Sequence, residues 1–336
     1  MQRLIEGDRP QIVILDGRTL NPGDLSWQGL EPLGRVSAYD FTPPDAVLER
    51  AVAADILLVN KTILDGAVLA KLPRLRCICV TASGYNNIDL EAACRQNIVV
   101  CNAVGYGTAS VAQHVFALLL ALANRVQAHY DSVRQGRWGA SEDFCYTLGP
   151  IPELAGKTMG VYGFGRIGQQ VAHIAQAFGM SILATHKHPE RDAQPGVAFV
   201  DLKTLFSASD VISLHAPLGP DNHQIVNAEL LALMKPTAYL LNTGRGGLID
   251  ETALRVALEA GQLAGAGLDV LSVEPPLEGN ILFGAPNCLI TPHLAWATRE
   301  ARQRLLDISV GNVRAFLAGS PVNVVGEGGL KVESSK

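Results

Sequence analysis

The sequence predicts an α/β fold in which parallel sheets are covered by helices on both faces, and three observations support this prediction. Short apolar and β-branched runs alternate with helical patterns along almost the whole chain, which is typical of parallel sheets. A glycine-rich turn, GFGRIG at 163–168, stands between an apolar run and a helical pattern. The length of 336 residues exceeds what one hydrophobic core normally serves, so we expect two domains.

The alternation places each element between turn or cap signals. Strands are predicted at 11–15, 35–39, 56–59, 76–80, 98–100, 159–162, 182–185, 197–200, 211–214, 238–241, 265–270 and 288–290. Helices are predicted after Pro43-Pro44 and at 65–71, 89–96, 108–125, 167–178, 202–207, 227–234, 251–260 and 298–317. The helix at 108–125 is apolar on nearly all sides, which predicts burial between layers or between subunits. The segment 130–152, rich in Gly and Pro, is expected to be an extended hinge or dimer arm, and the tail 327–336 to be disordered.

Composition and charge argue against several classes of function. The chain is 48% hydrophobic and 18% charged, as in an ordinary globular protein. A formal net charge of −5 argues against nucleic-acid binding. An anionic substrate would therefore be bound by individual cationic side chains and not attracted by the overall charge of the protein. The longest apolar run, 115–123, has about half the length needed to span a membrane, and the N-terminus does not resemble a signal peptide. Six cysteines without a CxxC pair, and no clustered histidines, predict a cytosolic, reduced and metal-free protein.

The glycine-rich turn predicts a dinucleotide-binding site. Gly163 permits a tight turn, Gly165 lets the backbone approach a pyrophosphate, and Gly168 allows the helix to pack close to the strand. The N-terminus of the following helix offers unpaired N–H groups and a positive dipole end to phosphates. Gly179 is the expected stop of that helix.

Four chemically active side chains follow predicted strands. Arg245 lies in LLNTGRGGLID, Asp269 ends AGAGLD, Glu274 lies in LSVEPP and His293 in LITPHLAW. In open parallel sheets ligands bind outside the carboxyl ends of the strands. We therefore expect a cation, two carboxylates and a histidine to form one site.

Several separate motifs together resemble one enzyme family over nearly the whole chain. They are SGYNNID at 83–89, GYGTASVAQH at 105–114, GFGRIG at 163–168, HAPL at 215–218, NTGRGGLID at 242–250, GLDVLSVEP at 267–275 and TPHLAWATREAR at 291–302. The chain is similar to the D-isomer-specific 2-hydroxyacid dehydrogenases. It most resembles their glycerate dehydrogenase/hydroxypyruvate reductase branch, through LDGRTLNPGDLSW at 15–27, NKTIL at 60–64 and Trp296.

The resemblance implies two Rossmann-like domains, one flavodoxin-like and one dinucleotide-binding, with parallel sheets and the active site in an interdomain cleft. The substrate domain would comprise 1–101 and 297–336, and the dinucleotide-binding domain 102–296. A homodimer is the expected assembly, with a small 2-oxo acid as substrate.

The resemblance also implies the reaction, a hydride transfer between NAD(P)H and a small 2-oxo or D-2-hydroxy acid. Hydroxypyruvate or glyoxylate would be reduced to D-glycerate or glycolate. His293 matches the family's acid/base, Glu274 the carboxylate that orients it, and Arg245 the cation that grips the substrate carboxylate and polarises the 2-oxo group. The implied substrate contacts are Lys61, Ser83, Gly84, Arg245 and Trp296.

The cofactor contacts implied by the resemblance are spread over many loops. They are Thr108, Gly163, Gly165, Arg166, Ile167, Gly168, His186, Lys187, His215, Ala216, Pro217, Thr243, Asp269 and Ala295. One departure concerns the acidic residue that normally binds the ribose 2′-OH of NAD, because the expected position reads Thr185-His186-Lys187-His188. With Arg191 nearby, this loop favours a 2′-phosphate, and hence NADPH or dual use, while NAD remains open.

Two alternatives accompany this interpretation. Formate dehydrogenases share the fold but lack the Glu/His pair, so Glu274 argues against them. A related co-repressor uses the fold as a dinucleotide-sensing module with little turnover, and another 2-hydroxy acid specificity also remains open. His114, His129 and His173 lie on helical stretches and are predicted to be structural.

Overall fold

The computed structural model describes residues 9–326 and divides into two compact units. Among the described residues, the first unit comprises 9–107 and 297–326, and the second unit comprises 108–296. The domain bounds expected from the sequence, 1–101 with 297–336 and 102–296, remain a proposal. The tail at 327–336, for which disorder was expected, lies outside the described residues.

Residues 9–326 contain twelve strands, which are numbered in chain order. They are β1 (Gln11–Ile14), β2 (Arg35–Ala38), β3 (Ile56–Val59), β4 (Cys77–Val80), β5 (Val99–Cys101), β6 (Thr158–Tyr162), β7 (Ser181–Thr185), β8 (Val197–Phe199), β9 (Val211–Leu214), β10 (Tyr239–Asn242), β11 (Gly265–Leu268) and β12 (Cys288–Ile290).

The same part of the chain contains ten α-helices, numbered in the same way. They are α1 (Val47–Ala51), α2 (Gly66–Leu69), α3 (Leu90–Arg95), α4 (Thr108–Asn124), α5 (Val126–Arg134), α6 (Arg166–Ala177), α7 (Leu202–Ala208), α8 (Ala228–Leu231), α9 (Glu251–Glu259) and α10 (Arg299–Leu317).

The first unit is built on a five-stranded parallel sheet with the order β2-β1-β3-β4-β5. This is the order of flavodoxin-like folds. The strands β3 and β4 are buried along their whole length, as their continuous apolar sequences require. Helix α10 is tied to the N-terminal loop by Arg302, whose guanidinium binds Asp24 through two N–H···O contacts of 2.6 and 2.7 Å.

The second unit is built on a seven-stranded parallel sheet with the order β12-β11-β10-β9-β6-β7-β8. The chain starts in the middle at β6, runs outward to β8, then returns to β9 and continues to β12. Dinucleotide-binding folds have this arrangement, and their ligands bind where the strand order reverses, here between β6 and β9. Two apolar clusters contribute to its core, one including α4 and α6 and the other α7, α8 and α9. The predicted α/β class and its parallel sheets are confirmed.

Local signals explain where the helices begin and end. Asp250 caps α9 by accepting from the N–H groups of Thr252 and Ala253, as a carboxylate at this position should. Helix α6 ends at Ala177, and Gly179 follows it with φ of +75°. The Gly179 N–H donates to the Gln176 carbonyl and the Met180 N–H to the Ala175 carbonyl, which completes a Schellman turn. Both features follow the sequence-based expectation.

The segment after α4 departs from the prediction. The stretch beginning at Tyr130 was expected to be extended, yet α5 continues to Arg134. Arg125, with φ of +51°, ends α4 in the left-handed region and starts α5 in a new direction. The glycines that suggested an extended chain begin only at Gly136, after the helix has ended.

Within residues 9–326 no single helix is long and apolar enough to span a membrane. Only α4 and α5 taken together have the required length and apolarity, and a 55° bend separates them.

Candidate active site

Arg245, Glu274 and His293 follow three neighbouring strands of the second unit. Arg245 comes after β10, Glu274 after β11 and His293 after β12. The three strands are parallel and adjacent, so their carboxyl ends share one edge of the sheet. The sheet topology therefore places the predicted catalytic trio at the same edge.

The imidazole of His293 pairs directly with the carboxylate of Glu274. The distance from His293 Nδ1 to Glu274 Oε2 is 2.6 Å, and the Leu271 N–H donates to Glu274 Oε1 at 2.9 Å. Because an ionised carboxylate only accepts hydrogen bonds, Nδ1 carries a proton and Nε2 is the atom left to exchange one. The two side chains are 28% and 32% exposed, which leaves the pair within reach of a ligand.

The backbone of His293 adopts a left-handed conformation that residues other than glycine seldom occupy, with φ of +52°. Its N–H donates to the Asp269 carbonyl at 2.8 Å and lies 3.0 Å from the Thr291 carbonyl. Such strained conformations persist only where the surroundings hold them, and they cluster at functional sites.

Asp269 binds the same loop with its side chain. Its Oδ1 accepts from the Thr291 hydroxyl at 2.6 Å and the Leu294 N–H at 2.9 Å, and its Oδ2 accepts from the Ala295 N–H at 2.8 Å. The side chain is completely buried. Asp269 thus fixes the loop that carries His293, while the expected contacts of Asp269 and Ala295 with a nicotinamide stay predictions.

Arg245 lies on a loop that packs tightly against the loop carrying Glu274. A Cβ atom on the next residue, Gly246, would lie only 1.9 Å from the Leu271 carbonyl carbon. The Asn242 side chain donates to the Arg245 carbonyl at 2.9 Å, and the Arg245 side chain is exposed. The backbone of the arginine is therefore fixed, and its exposed guanidinium donates from Nη1 to the Gly244 carbonyl at 2.8 Å.

Glu251 is a site-supporting residue that the sequence analysis missed. Its carboxylate accepts from the Ser272 N–H at 2.7 Å, the Ser272 hydroxyl at 2.8 Å and the Asn280 amide at 2.8 Å. These contacts span the loop on which Glu274 stands. From the sequence Glu251 is only the first residue of a capped helix, since its partners are more than twenty residues away along the chain.

The glycine turn fits the predicted pyrophosphate site. Gly163 has φ of +94°, and a Cβ there would lie 2.4 Å from the Ala216 nitrogen; a Cβ on Gly168 would lie 2.4 Å from the Gly163 carbonyl oxygen. A Cβ on Gly165 would meet no heavy atom of residues 9–326 within 4 Å. Helix α6 begins at Arg166, and no side chain of the described residues caps it. A tight turn, an open approach and uncapped N–H groups are what a dinucleotide phosphate needs.

Two buried polar atoms in the loops after β9 and β10 also fit a bound cofactor. His215 Nδ1 and Thr243 Oγ1 have no hydrogen-bond partner within residues 9–326, whereas His215 Nε2 lies 2.8 Å from the Ser213 hydroxyl. Burial lowers the pKa of His215 to about 3, so the ring is neutral at physiological pH.

The other expected cofactor contacts lie on three different elements. Ile167 lies in the first turn of α6, Thr108 begins α4, and Pro217 is exposed after β9.

The loop after β7 combines basic and acidic groups. His186 Nε2 lies 2.7 Å from Asp192 Oδ2, and Arg191 binds the same carboxylate at 2.6 Å. These contacts hold the pKa of Asp192 below its usual value, through the hydrogen bond from Arg191 and that from His186. Lys187 is exposed. The sequence did not predict that Asp192 would bind His186 and Arg191, two of the basic side chains expected to bind a 2′-phosphate.

The expected substrate contacts fall into both units. Lys61 and Ser83 are exposed in the first unit, where Gly84 is half-buried, and Trp296 is half-buried in the second unit. The loop of Lys61 is fixed by Asp16, whose carboxylate accepts from the backbone N–H groups of residues 60, 61 and 62 at 2.6–2.8 Å. The sequence could not reveal this role of Asp16, because its partners are 44 to 46 residues away.

His114 was predicted to be structural, but it contacts the loop of His293. Its Nε2 lies 2.9 Å from the Thr291 hydroxyl. A usable signal was present in the sequence, since Ser110 and His114 are polar positions one turn apart in a largely apolar helix.

Comparisons with known proteins agree with this geometry. Residues 116–295 match the family model described as D-isomer specific 2-hydroxyacid dehydrogenase, NAD binding domain. The chain is 48% identical over 320 residues to a hydroxypyruvate reductase of Blautia hydrogenotrophica, covering 94% of this chain and 99% of that protein. It is 45% identical over 290 residues to a glycerate dehydrogenase of Methylorubrum extorquens, covering 85% and 90%. Among solved structures, an NADPH-dependent glyoxylate/hydroxypyruvate reductase of Sinorhizobium meliloti superposes with a TM-score of 0.83 at 28% identity, covering 96% and 99%.

Proposed function

Because the chain belongs to the D-isomer specific 2-hydroxyacid dehydrogenase family, we propose that it reduces hydroxypyruvate and glyoxylate with NAD(P)H to D-glycerate and glycolate. The names of its relatives support this substrate class, since the two described above are a hydroxypyruvate reductase and a glycerate dehydrogenase. The single observation that carries the proposal is the His293–Glu274 pair, at 2.6 Å, beside the strand end that bears Arg245.

Each member of the trio has a distinct task in the proposed reaction. When bound, the nicotinamide supplies the hydride to C2 of the oxo acid. His293 holds a proton on Nε2 and gives it to the developing alkoxide, while Glu274 keeps Nδ1 protonated and stabilises the positive ring before the transfer. Arg245 offers a planar fork of N–H donors to the substrate carboxylate and draws electron density from the 2-oxo group. The same groups serve the reverse reaction with the proton moving to His293.

Further substrate contacts are proposed in both units. Lys61, Ser83 and Gly84 of the first unit, and Trp296 of the second, are assigned by the resemblance of their motifs. The exposure of Lys61 and Ser83 supports this assignment, because both residues lie at the surface of the first unit. The support that Asp16 gives to residues 60–62 would keep Lys61 in one place.

We propose that the cofactor phosphates bind at the N-terminus of α6, against Gly165, Arg166 and Ile167. The proposed adenosine side comprises His215, Ala216 and Pro217, and Thr243 Oγ1 is a further polar contact. His186 and Lys187 favour NADPH or dual use, as they would meet the ribose 2′-position. Asp192 reduces this preference because it already engages His186 and Arg191.

We also propose that the protein is a homodimer in the cytosol. Helix α5 exposes Val126, Tyr130 and Val133, which lie four and three residues apart and are 57%, 55% and 43% exposed. Trp138 and Phe144 in the following segment are 54% and 89% exposed. Apolar side chains clustered in this way are typical of an association surface. The six cysteines are free thiols, which suits a reducing compartment.

The proposed function is tested by loss of nicotinamide absorbance with hydroxypyruvate, run in parallel with NADPH and NADH. Glyoxylate, pyruvate and phenylpyruvate serve as competing substrates. We expect the highest kcat/KM with hydroxypyruvate or glyoxylate, and turnover with NADPH at least equal to that with NADH. A higher kcat/KM with pyruvate or phenylpyruvate would mean that the enzyme is specific for another 2-hydroxy acid. Cofactor binding without turnover of any oxo acid would contradict the proposal and favour a dinucleotide-sensing module.

A further inference from the structure

His114, on α4, contacts the loop that presents His293. Its Nε2 lies 2.9 Å from Thr291 Oγ1 and 3.5 Å from Asp269 Oδ1, and its side chain is only 16% exposed. Thr291 and Asp269 in turn flank the left-handed backbone of His293. The histidine on the helix and the proposed acid/base therefore belong to one connected set of polar groups.

The direction of each hydrogen bond in this set follows from chemistry. Asp269 is a carboxylate and can only accept, so the hydroxyl proton of Thr291 is donated to Oδ1 across 2.6 Å. The hydroxyl has no second proton. The contact between His114 Nε2 and Thr291 Oγ1 must then be an N–H of His114 donating to a lone pair of the threonine. Hydrogen bonds aligned in a chain of this kind strengthen one another.

The chain ends on the backbone of the active-site loop. Asp269 Oδ1 also accepts the Leu294 N–H at 2.9 Å, and Oδ2 accepts the Ala295 N–H at 2.8 Å. The Asp269 carbonyl accepts the His293 N–H at 2.8 Å. Any rotation of the Asp269 carboxylate would therefore break its hydrogen bonds to two consecutive backbone N–H groups, those of Leu294 and Ala295, which directly follow His293.

Helix α4 is a rigid support for this arrangement. One turn before His114, the Ser110 hydroxyl donates to the Ala295 carbonyl, so the helix holds the loop at two points. The helix lies close to β11 because Gly267 has no side chain; a Cβ there would stand 3.0 Å from Leu118 Cβ. The loop is thus anchored to a helix that cannot shift without disturbing the core.

We infer that His114 is a positioning residue for the reaction: by donating to Thr291 it fixes the Asp269 carboxylate and, through the loop at 291–295, the ring of His293. The inference rests on the proposed function for its kinetic consequence, but the positioning itself is a property of the chain. A histidine that merely filled space would leave the loop unchanged when replaced by an apolar side chain of similar size.

The test compares His114→Leu with His114→Gln, since the glutamine amide retains an N–H donor on a side chain of similar reach. We expect His114→Leu to lower kcat for hydroxypyruvate reduction by about 10- to 100-fold, as is usual when a group that orients a catalytic side chain is lost. His114→Gln should recover most of this loss. His173→Leu, at an exposed position on α6, is the matched control and should keep the wild-type kcat.

Variants at the other end of the contact keep the test independent of α4 packing. Thr291→Val removes the hydroxyl at nearly constant volume, and Thr291→Ser restores it. We expect Thr291→Val to lower kcat by a similar factor, and the double variant His114→Leu/Thr291→Val to lose little more than either single one. Such non-additivity is the mark of two residues acting through one contact.

Amide hydrogen exchange provides a readout that does not depend on turnover. In His114→Leu the N–H groups of Leu294 and Ala295 should exchange about tenfold faster or more, while the amides of β6 keep their wild-type rates. If the wild-type chain reduces no oxo acid, the proposed function fails, and the exchange rates alone still decide the positioning role. Wild-type exchange at Leu294 and Ala295 in His114→Leu, or equal loss of kcat in His114→Leu and His114→Gln, would overturn the inference.

Discussion

Glu274 and His293 depend on each other for their proposed chemistry. The carboxylate fixes the tautomer of the imidazole, and the backbone N–H of Leu271 fixes the carboxylate. The imidazole ring is therefore held in one orientation, with Nε2 available to the substrate. A neutral amide in place of Glu274 would still occupy the volume but would not stabilise a positively charged imidazole.

Glu274→Gln isolates that electrostatic contribution. We expect kcat for hydroxypyruvate reduction to fall on the order of 100-fold, because the charged form of His293 loses its partner. Cofactor affinity, measured by fluorescence titration, should stay within about twofold. Glu278→Gln is the matched control, since Glu278 is an exposed carboxylate on the same loop. Equal kcat values for the two variants would argue against a role for the Glu274 charge.

His215 predicts a specific pH dependence of stability. Its folded-state pKa of about 3 lies below the ordinary value of 6.5, since burial disfavours the charged ring. Between these values the unfolded chain binds more protons than the folded one, so the wild-type protein loses stability as pH falls below 6.5. The slope should reach about 1.4 kcal/mol per pH unit.

Urea unfolding without cofactor, at several pH values, tests this expectation with His215→Gln. Wild type should lose stability relative to His215→Gln as the solution is acidified, because the variant lacks the titrating ring. His173→Gln, with an exposed histidine replaced, serves as control and should follow the wild-type pH dependence. A pH-independent difference between wild type and His215→Gln would show that His215 contributes no such linkage.

The loops after β10 and β11 act as one element because their backbones are in direct contact. A Cβ on Gly246 would lie 1.9 Å from the carbon and 2.0 Å from the oxygen of the Leu271 carbonyl, both of which are backbone atoms. Gly246→Ala must therefore displace the loop that carries Arg245, the loop that carries Glu274, or both.

We expect Gly246→Ala to lower kcat/KM for hydroxypyruvate by about 100-fold or more, since displacements near 1 Å in a catalytic site have effects of this size. Gly311→Ala in α10 is the matched control. A Cβ there meets no heavy atom of the described residues within 4 Å, so the change should leave activity intact and stabilise the helix by up to about 1 kcal/mol. Wild-type kcat/KM in Gly246→Ala would mean that the two loops are not coupled.

The elements themselves were largely predictable from the sequence, for identifiable reasons. Buried parallel strands such as β3 and β4 are short uninterrupted apolar runs, and α9 begins directly after Asp250 as its cap signal requires. Helix α5 was missed because the positive φ at Arg125 turns the chain without a glycine or proline to mark the place.

The supporting contacts of the site were not predictable from periodicity. Asp16, Glu251 and His114 act through partners 44, 21 and 177 residues away along the chain. A period of 3.6 residues tells which face of α4 is covered but not what covers it. Strand-end position did predict that Arg245, Glu274 and His293 lie at one sheet edge, because parallel topology alone brings the carboxyl ends of strands together.

For the whole molecule, the exposed apolar surface of α5 and the segment after it leads to a prediction about assembly. In size-exclusion chromatography with light-scattering detection, the measured molar mass of the wild-type protein should be twice the chain mass of 35.7 kDa. The double variant Tyr130→Glu/Phe144→Glu should elute as a monomer, because two charges would be buried unpaired in the interface. Val256→Glu, at a 57% exposed apolar position on α9, is the control and should remain dimeric. A monomeric wild type would contradict the proposed assembly.

Single-turnover reduction of hydroxypyruvate with pre-bound NADPH tests whether His293 supplies the proton in the proposed reduction of a 2-oxo acid. Wild type and His293→Ala are compared after cofactor affinity has been measured for both. We expect a rate about 10² to 10⁴ times lower in His293→Ala, with cofactor affinity nearly unchanged. A wild-type rate in His293→Ala would mean that another group supplies the proton.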